Sequence, residues 1–423
     1  GAQVFASRPP DARAQDRFLD VRDNSVGGAT ARGEEIARNC PYAAGRVTPH
    51  PWTASLLPAP GGIQDQAGPE GSALTLVETA EAAESMLSTL SSCGCFALDV
   101  EQYQQTCYFG FTCTLQIATR EHGNFLVDAC EPAVREALRQ RLNALTSDPT
   151  VLKIVHGGKD DVVWLQRDFD AYLVHVIDTQ IMAKELGLPL NLKGLTMDVL
   201  GVELDKDSQL EDWSQRPLPI AMAYYAVADA HYTFLLAHGL WARIAASSTA
   251  IVSVQNKSSD LCRNSLWTPR LIGADNPWSK DNNFKTAIKE LFPRGTLKEH
   301  PAVEARLKTL YMWRDAEART RDDGVNNVEQ KRALIKRAID ESQFKLPPGL
   351  RHQAYKESLV LLVSRDQRVG VIQNQKQAQK AQQAVESGGT GKNIWSLIGG
   401  KRTEWDAGSP WLTAFSYHSA ARW

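Results

Sequence analysis

The sequence predicts an α/β domain followed by a smaller all-α one, and three observations carry that reading. Between residues 73 and 249, short apolar runs alternate with segments whose apolar residues recur at helical spacing. From Pro301 onward the strand signals stop and the helical spacing continues. Within the second apolar run, Asp99 and Glu101 stand two apart. On a strand they share one face, while Leu98 and Val100 point into the opposite layer.

Residues 1–72 are rich in Arg, Asp, Pro and Gly and read as an extended arm, with Pro51-Trp52 and Leu56-Leu57 as anchor points. The α/β domain occupies 73–249. Residues 73–77, 96–101, 114–119, 124–128 and 151–155 read as its strands, and 78–91 and 133–145 as helices. After the fifth strand, His156-Gly157-Gly158 permits a tight turn, and Asp161 begins a helix carrying Trp164 and Leu165. A strongly helical stretch from Pro219 closes the domain. Residues 250–300, polar and punctuated by Trp and Pro, read as a wrapping linker. The small helical domain covers 301–370, and 371–423 holds a polar helix and a Gly/Ser-rich tail.

A chain of 423 residues has room for two or three domains, and 43% hydrophobic with 23% charged residues is the balance of a soluble globular protein. The formal net charge of −2 advertises no polyanion-binding surface, so any such surface must be local. The cysteines (Cys40, Cys93, Cys95, Cys107, Cys113, Cys130, Cys262) are odd in number and form no Cys-x-x-Cys pair, which favours reduced thiols over a disulfide framework. Cys93-Gly94-Cys95 lacks a second ligand pair at zinc spacing. No apolar run reaches 18 residues and no signal-peptide pattern is present, so neither a membrane span nor secretion is expected.

Two carboxylates at a strand end repel each other unless a cation lies between them, and hard divalent ions suit an all-oxygen donor set. Asp161 lies in a first helical turn, where it also reads as a charge complementing the helix dipole; its neighbour Asp160 is expected to face solvent. Tyr225 and Asp229 are four apart and stack on one helix face. Together Asp99, Glu101, Asp161 and Asp229 could hold two Mg²⁺ ions about 3.5–4 Å apart for in-line attack on a phosphodiester.

Five segments then resemble the DEDD-type 3′→5′ exonucleases of the RNase D superfamily, tyrosine subclass, and most of all the nuclear exosome-associated exoribonucleases of eukaryotes. They are residues 98–101, 111–119, 155–166, 209–218 (with Asp212-Trp213-x-x-Arg216-Pro217-Leu218) and 225–231. The resemblance covers roughly 70–250. Upstream, His50-Pro51-Trp52 resembles the His-Pro-aromatic element of that group. Downstream, residues 310–315 resemble the start of a helicase-and-RNase-D C-terminal (HRDC) domain, although 324–328 depart from the Pro-containing turn usual there.

The resemblance implies an RNase H-like mixed sheet flanked by helices, and a metal-dependent exoribonuclease releasing nucleoside 5′-monophosphates. Its two Mg²⁺ ions (Mn²⁺ as the alternative) would be held by Asp99, Glu101, Asp161 and Asp229. Histidine-type relatives carry a His five residues before the last Asp, where this chain has Tyr224. Tyrosine-type relatives carry a Tyr four before it, here Tyr225, whose neutral phenol would orient the attacking water. Trp164, Lys206 and Gln209 stand where relatives contact the terminal nucleotides; Trp164 reads equally as a core residue. Asp212, Trp213 and Arg216 would pin a loop beneath the site, His156 and His231 would be structural hydrogen-bonders, and Asp128 and Asp178 would cap turns. Implied partners are single-stranded RNA 3′ ends, the exosome core and its cofactor proteins, without a membrane, in the nucleus including the nucleolus. Alternatives are a tRNA-trimming or DNA exonuclease, or a non-catalytic scaffold. The HRDC-like domain reads as an RNA binder, a gate or a partner surface.

Overall fold

The computed structural model describes residues 3–5, 26–43, 69–204, 211–269 and 301–339. Two units divide the chain, one of 1–269 with 319–324, the other of 270–318 with 325–423. In chain order the first runs β1 (Gln3–Val4), α1 (Val26–Asn39), β2 (Leu74–Val77), α2 (Ala80–Ser91), β3 (Cys95–Tyr103), β4 (Phe111–Ala118), β5 (Asn124–Asp128), α3 (Pro132–Thr146), β6 (Leu152–Val155), α4 (Lys159–Phe169), β7 (Val176–Asp178), α5 (Thr179–Leu186), α6 (Leu192–Leu200), β8 (Leu218–Pro219), α7 (Ile220–Ala245) and α8 (Ser248–Asn264).

Six strands form one mixed sheet in the order β2-β5-β4-β3-β6-β7. β3 and β4 are antiparallel neighbours, β4 pairs antiparallel with β5, and β2, β6 and β7 join parallel to their neighbours. The period-2 pattern sorts β3 between two cores. Phe96, Leu98 and Val100 join Leu87, Leu138 and Leu165 from α2, α3 and α4 on one face. Ala97 joins residues of α5, α6 and α7 on the other. Helix α7 lies against β3 and β4, and small residues allow it: Ala226, Ala230, Ala97 and Ala118 are all buried. Opposite the step from Glu101 to Gln102 the partner strand β4 carries an extra residue, Cys113, between Thr112 and Thr114, a bulge of the kind found beside active sites.

Two expectations need correction. Within the expected extended arm, α1 is a helix on the main core: Ile36 is fully buried, Tyr42 donates to the Leu173 carbonyl (3.0 Å), and Arg32 pairs with Asp170 (2.8 Å). Residues 250–264, expected in the linker, belong to α8 (Ser248–Asn264), whose buried face carries Val254, Ser258 and Cys262. Small polar residues on that face blurred the apolar spacing. Asp128 and Asp178, expected at strand ends, close β5 and the three-residue strand β7. The His50-Pro51-Trp52 element, Leu56-Leu57, the rest of the linker (270–300) and everything after 339 lie outside the described residues.

The second unit holds α9 (Pro301–Arg321) as far as Ala318, α10 (Val325–Val328) and α11 (Lys331–Ile339). Leu307, Leu310 and Tyr311 pack on Leu334, Ile335 and Ala338. Arg306 Nε donates to the Ala338 carbonyl (2.7 Å), and Arg337 pairs with Glu329.

Candidate active site

The site assembles on the α7 side of β3. Asp99 and Glu101 project from that face by strand alternation, and α7 delivers Asp229. One ligand oxygen from each of Asp99, Glu101 and Asp229 lies within 4.8 Å of the others. Three convergent carboxylates form a hard, all-oxygen donor set, which fits Mg²⁺ or Mn²⁺ and not a soft metal.

Asp161 comes from α4. Its helix begins at Lys159, so Asp161 is its third residue, not its first. The turn before it needs both glycines: Gly157 has φ +62°, and a Cβ on Gly158 would meet the Val155 side chain at 2.7 Å. The Gly157 and Gly158 amides donate to the Asp178 carboxylate (3.0 and 3.1 Å). Asp178 also caps α5, accepting from Gln180 N at 2.8 Å. Its expected turn-capping role is real, yet it is larger, since it fixes the turn that aims Asp161. Asp161 lies outside the group of three but within electrostatic reach. Burial, then the charges of Asp160, Asp178 and Asp229, push its carboxyl up to about 8. Asp160 itself is exposed, as expected.

Asp99 feels the same field more strongly. Burial and the carboxylates of Asp161, Glu101 and Asp229 hold its pKa well above the usual range. A cation among these groups would relieve that repulsion, so the electrostatics agree with the donor chemistry.

Tyr225 is buried, and its hydroxyl donates to Asp229, one turn along α7. Burial, with the nearby charges of Asp229 and Glu101, raises the phenol further, so it stays protonated at neutral pH. It can therefore act as a hydrogen-bonding O–H and not as a phenolate. The Trp213 ring lies 6.0 Å from that of Tyr225, inclined at 44°.

Trp164 is 7% exposed within the main core, and the Arg167 guanidinium sits 4.3 Å over its ring. That favours the core reading and leaves it no open face. Lys206 and Gln209 lie outside the described residues. His156 bonds Thr179 Oγ1 (2.8 Å) and the Leu190 carbonyl (3.1 Å) through its two ring nitrogens, a structural role. His231 is buried with Nδ1 3.4 Å from Asn124 Oδ1. Sequence reasoning passed over Gln116, which is fully buried directly across the β3–β4 ladder from Asp99. A lone amide in an otherwise apolar-looking strand was its signal. The cysteines are all free thiols.

Residues 74–245 match the 3′-5′ exonuclease family. The exosome complex component 10 homolog of Caenorhabditis elegans is 35% identical over 257 residues, covering 60% of this chain and 27% of that protein. The exosome complex exonuclease RRP6 of Saccharomyces cerevisiae is 32% identical over 265 residues, covering 61% and 35% respectively. This chain therefore spans well under half the length of either relative. The crystal structure of the catalytic core of RRP6 from Trypanosoma brucei matches with a TM-score of 0.57 at 24% identity, covering 74% of this chain and 88% of that one. The likeness is one of fold, the RNase H-like mixed sheet with its flanking helices.

Proposed function

We propose, from the match of residues 74–245 to the 3′-5′ exonuclease family, that the chain is a metal-dependent 3′→5′ exoribonuclease releasing nucleoside 5′-monophosphates, acting in nuclear RNA processing and decay with the exosome. The observation that carries the proposal is the convergence of Asp99, Glu101 and Asp229 beside a protonated tyrosine. Bound divalent ions would activate water and stabilise the leaving 3′-oxygen. In the proposed scheme Asp99, Glu101, Asp161 and Asp229 hold two such ions, Mg²⁺ or Mn²⁺. Tyr225 orients the attacking water through its hydroxyl oxygen, which accepts from the water while its proton, kept in place by the raised pKa, is donated to Asp229. Asp178 keeps Asp161 aimed through the glycine turn.

Single-stranded RNA ends are the proposed substrate, with Lys206 and Gln209 at the terminal nucleotides. Trp164 serves there as wall rather than stacking platform, because Arg167 already covers its ring. The exosome core and its cofactor proteins are the proposed partners, supported by the names of the worm and yeast relatives. Nuclear and nucleolar location, and an HRDC-like identity for 301–370, belong to the same proposal.

The test is one gel: 5′-labelled single-stranded RNA with wild type and Asp99→Asn, each with Mg²⁺ or EDTA. A descending ladder that requires both Mg²⁺ and Asp99 is expected. No ladder from folded wild-type protein would overturn the enzyme reading in favour of a scaffold.

A further inference from the structure

Arg216 occupies an unusual position for a residue in a surface-bound connection. Its side chain is 1% exposed, and all five of its N–H donors are used. Nε and one Nη donate to Asp128 Oδ1 (3.0 and 2.7 Å), and that Nη also donates to the Cys113 carbonyl (3.0 Å). The other Nη donates to the carbonyls of Trp213 (2.9 Å) and Gln215 (2.8 Å). One guanidinium thus fastens the backbone of Trp213 to β4 and to the end of β5. Taking an ion pair out of water costs several kcal/mol, about what its attraction returns, so such a pair holds a position better than it stabilises a fold.

What it positions is the Trp213 indole. That ring is 2% exposed and shares a core cluster with Tyr225, Tyr103 and Phe111. Its N–H makes no hydrogen bond among the described residues, so the ring contributes shape alone. Tyr225 has a hydrogen bond to Asp229 at its tip, but one bond fixes a distance and leaves the ring free to tilt about it. The tilted contact with Trp213 at 6.0 Å removes that freedom.

We infer that Arg216 and Trp213 are positioning residues for Tyr225: the guanidinium locks the indole, and the indole sets the inclination at which the phenol presents its O–H. The inference rests on the proposed exonuclease reading for its kinetic consequence, though not for its structural one. Near-attack geometry is steep in position, and a misplacement of about 1 Å can cost on the order of 100-fold.

The kinetic test is a double-mutant cycle on single-stranded RNA with Mg²⁺. Trp213→Phe, which keeps an apolar ring and forfeits no hydrogen bond, is expected to lower kcat about three- to tenfold with KM unchanged. In a Tyr225→Phe background it is expected to change kcat less than about twofold, because the hydroxyl it positions is gone. Losses that multiply in the double variant would overturn the inference. A second arm needs no activity: 3-fluorotyrosine placed at 225 should give one ¹⁹F resonance that shifts or broadens in Trp213→Phe and in Arg216→Lys. An unchanged resonance in both folded variants would overturn it as well. If wild type proves inactive, the exonuclease reading falls and the fluorine signal still decides whether Trp213 holds Tyr225.

Discussion

Two sets of aspartates lie within one domain and are treated in opposite ways. Asp168 is almost fully enclosed between Arg135 (2.8 Å) and Arg167 (2.6 Å), and it also accepts from Thr112 N at 2.7 Å. Asp128 is similarly held by Arg216. Asp99, by contrast, is surrounded by the carboxylates of Asp161, Glu101 and Asp229. In the first set the protein supplies the compensating cation and gains architecture: Asp168 ties α3, α4 and the start of β4 together. In the second the charges repel one another, and the fold keeps them together through α7 packing, the glycine turn and the β4 bulge opposite Glu101. A carboxylate satisfied internally is structural, and one held against its neighbours is set up for an external ion.

The sharpest way to break that distinction is to neutralise one acid of each kind. Asp99→Asn is expected to cut nuclease turnover by about 10³-fold or more, in line with removing a transition-state electrostatic partner. Its melting temperature without divalent ions should be equal to or above that of wild type, since a repulsion has been removed. Asp168→Asn is expected to do the reverse, costing about 3–5 kcal/mol in urea unfolding by leaving two buried arginines poorly matched. A destabilised Asp99→Asn, or an Asp168→Asn as stable as wild type, would erase the contrast. Next in size is the effect of metal. A divalent ion at about 100 times its dissociation constant should stabilise wild type by about 2.7 kcal/mol, and much less in Asp99→Asn. Equal stabilisation of both by Mg²⁺ would place the binding elsewhere.

A buried cation sharpens the comparison from the other side. Lys153 is fully buried, donates to the carbonyls of Asp148 and Val151 (both 2.6 Å), and is pushed down to about 7 by that burial. The unfolded chain keeps this lysine protonated up to about 10.4. Between about 7 and 10 the unfolded state therefore binds the extra proton, and this group makes stability rise with pH, by about 1 kcal/mol per unit. Lys153→Met should flatten that slope relative to wild type in chemical denaturation at pH 7, 8 and 9. Identical slopes would mean that the ammonium stays charged in the fold.

How much of this was legible beforehand depends on the range of the signal. The shared face of Asp99 and Glu101, and the stacking of Tyr225 on Asp229, follow from periodicities of two and 3.6, so the local geometry could be read directly. The aim of Asp161 could not. It depends on Asp178, 17 positions later, reaching back to two glycine amides, and no local pattern encodes such a contact. The same holds for Arg216, whose partners Asp128 and Cys113 lie on other strands. Helices α1 and α8 escaped because their buried faces use Ala, Ser and Cys beside a few large apolar residues.

The seating of α1 bears on where this domain can be cut. A nuclease fragment trimmed to begin at residue 73 looks natural by family match, yet it would strip Ile36, Cys40 and Tyr42 from the main core. It would also remove the bonds of Arg32 to Asp170 and to the Arg167 carbonyl, and strand the Tyr172 hydroxyl that donates to Ile36. The bared patch lies on the end of α4, the helix that carries Asp161. Fragments that retain residue 26 onward should stay soluble where the shorter ones clump, because α1 is a patch sewn onto the back of the α/β domain.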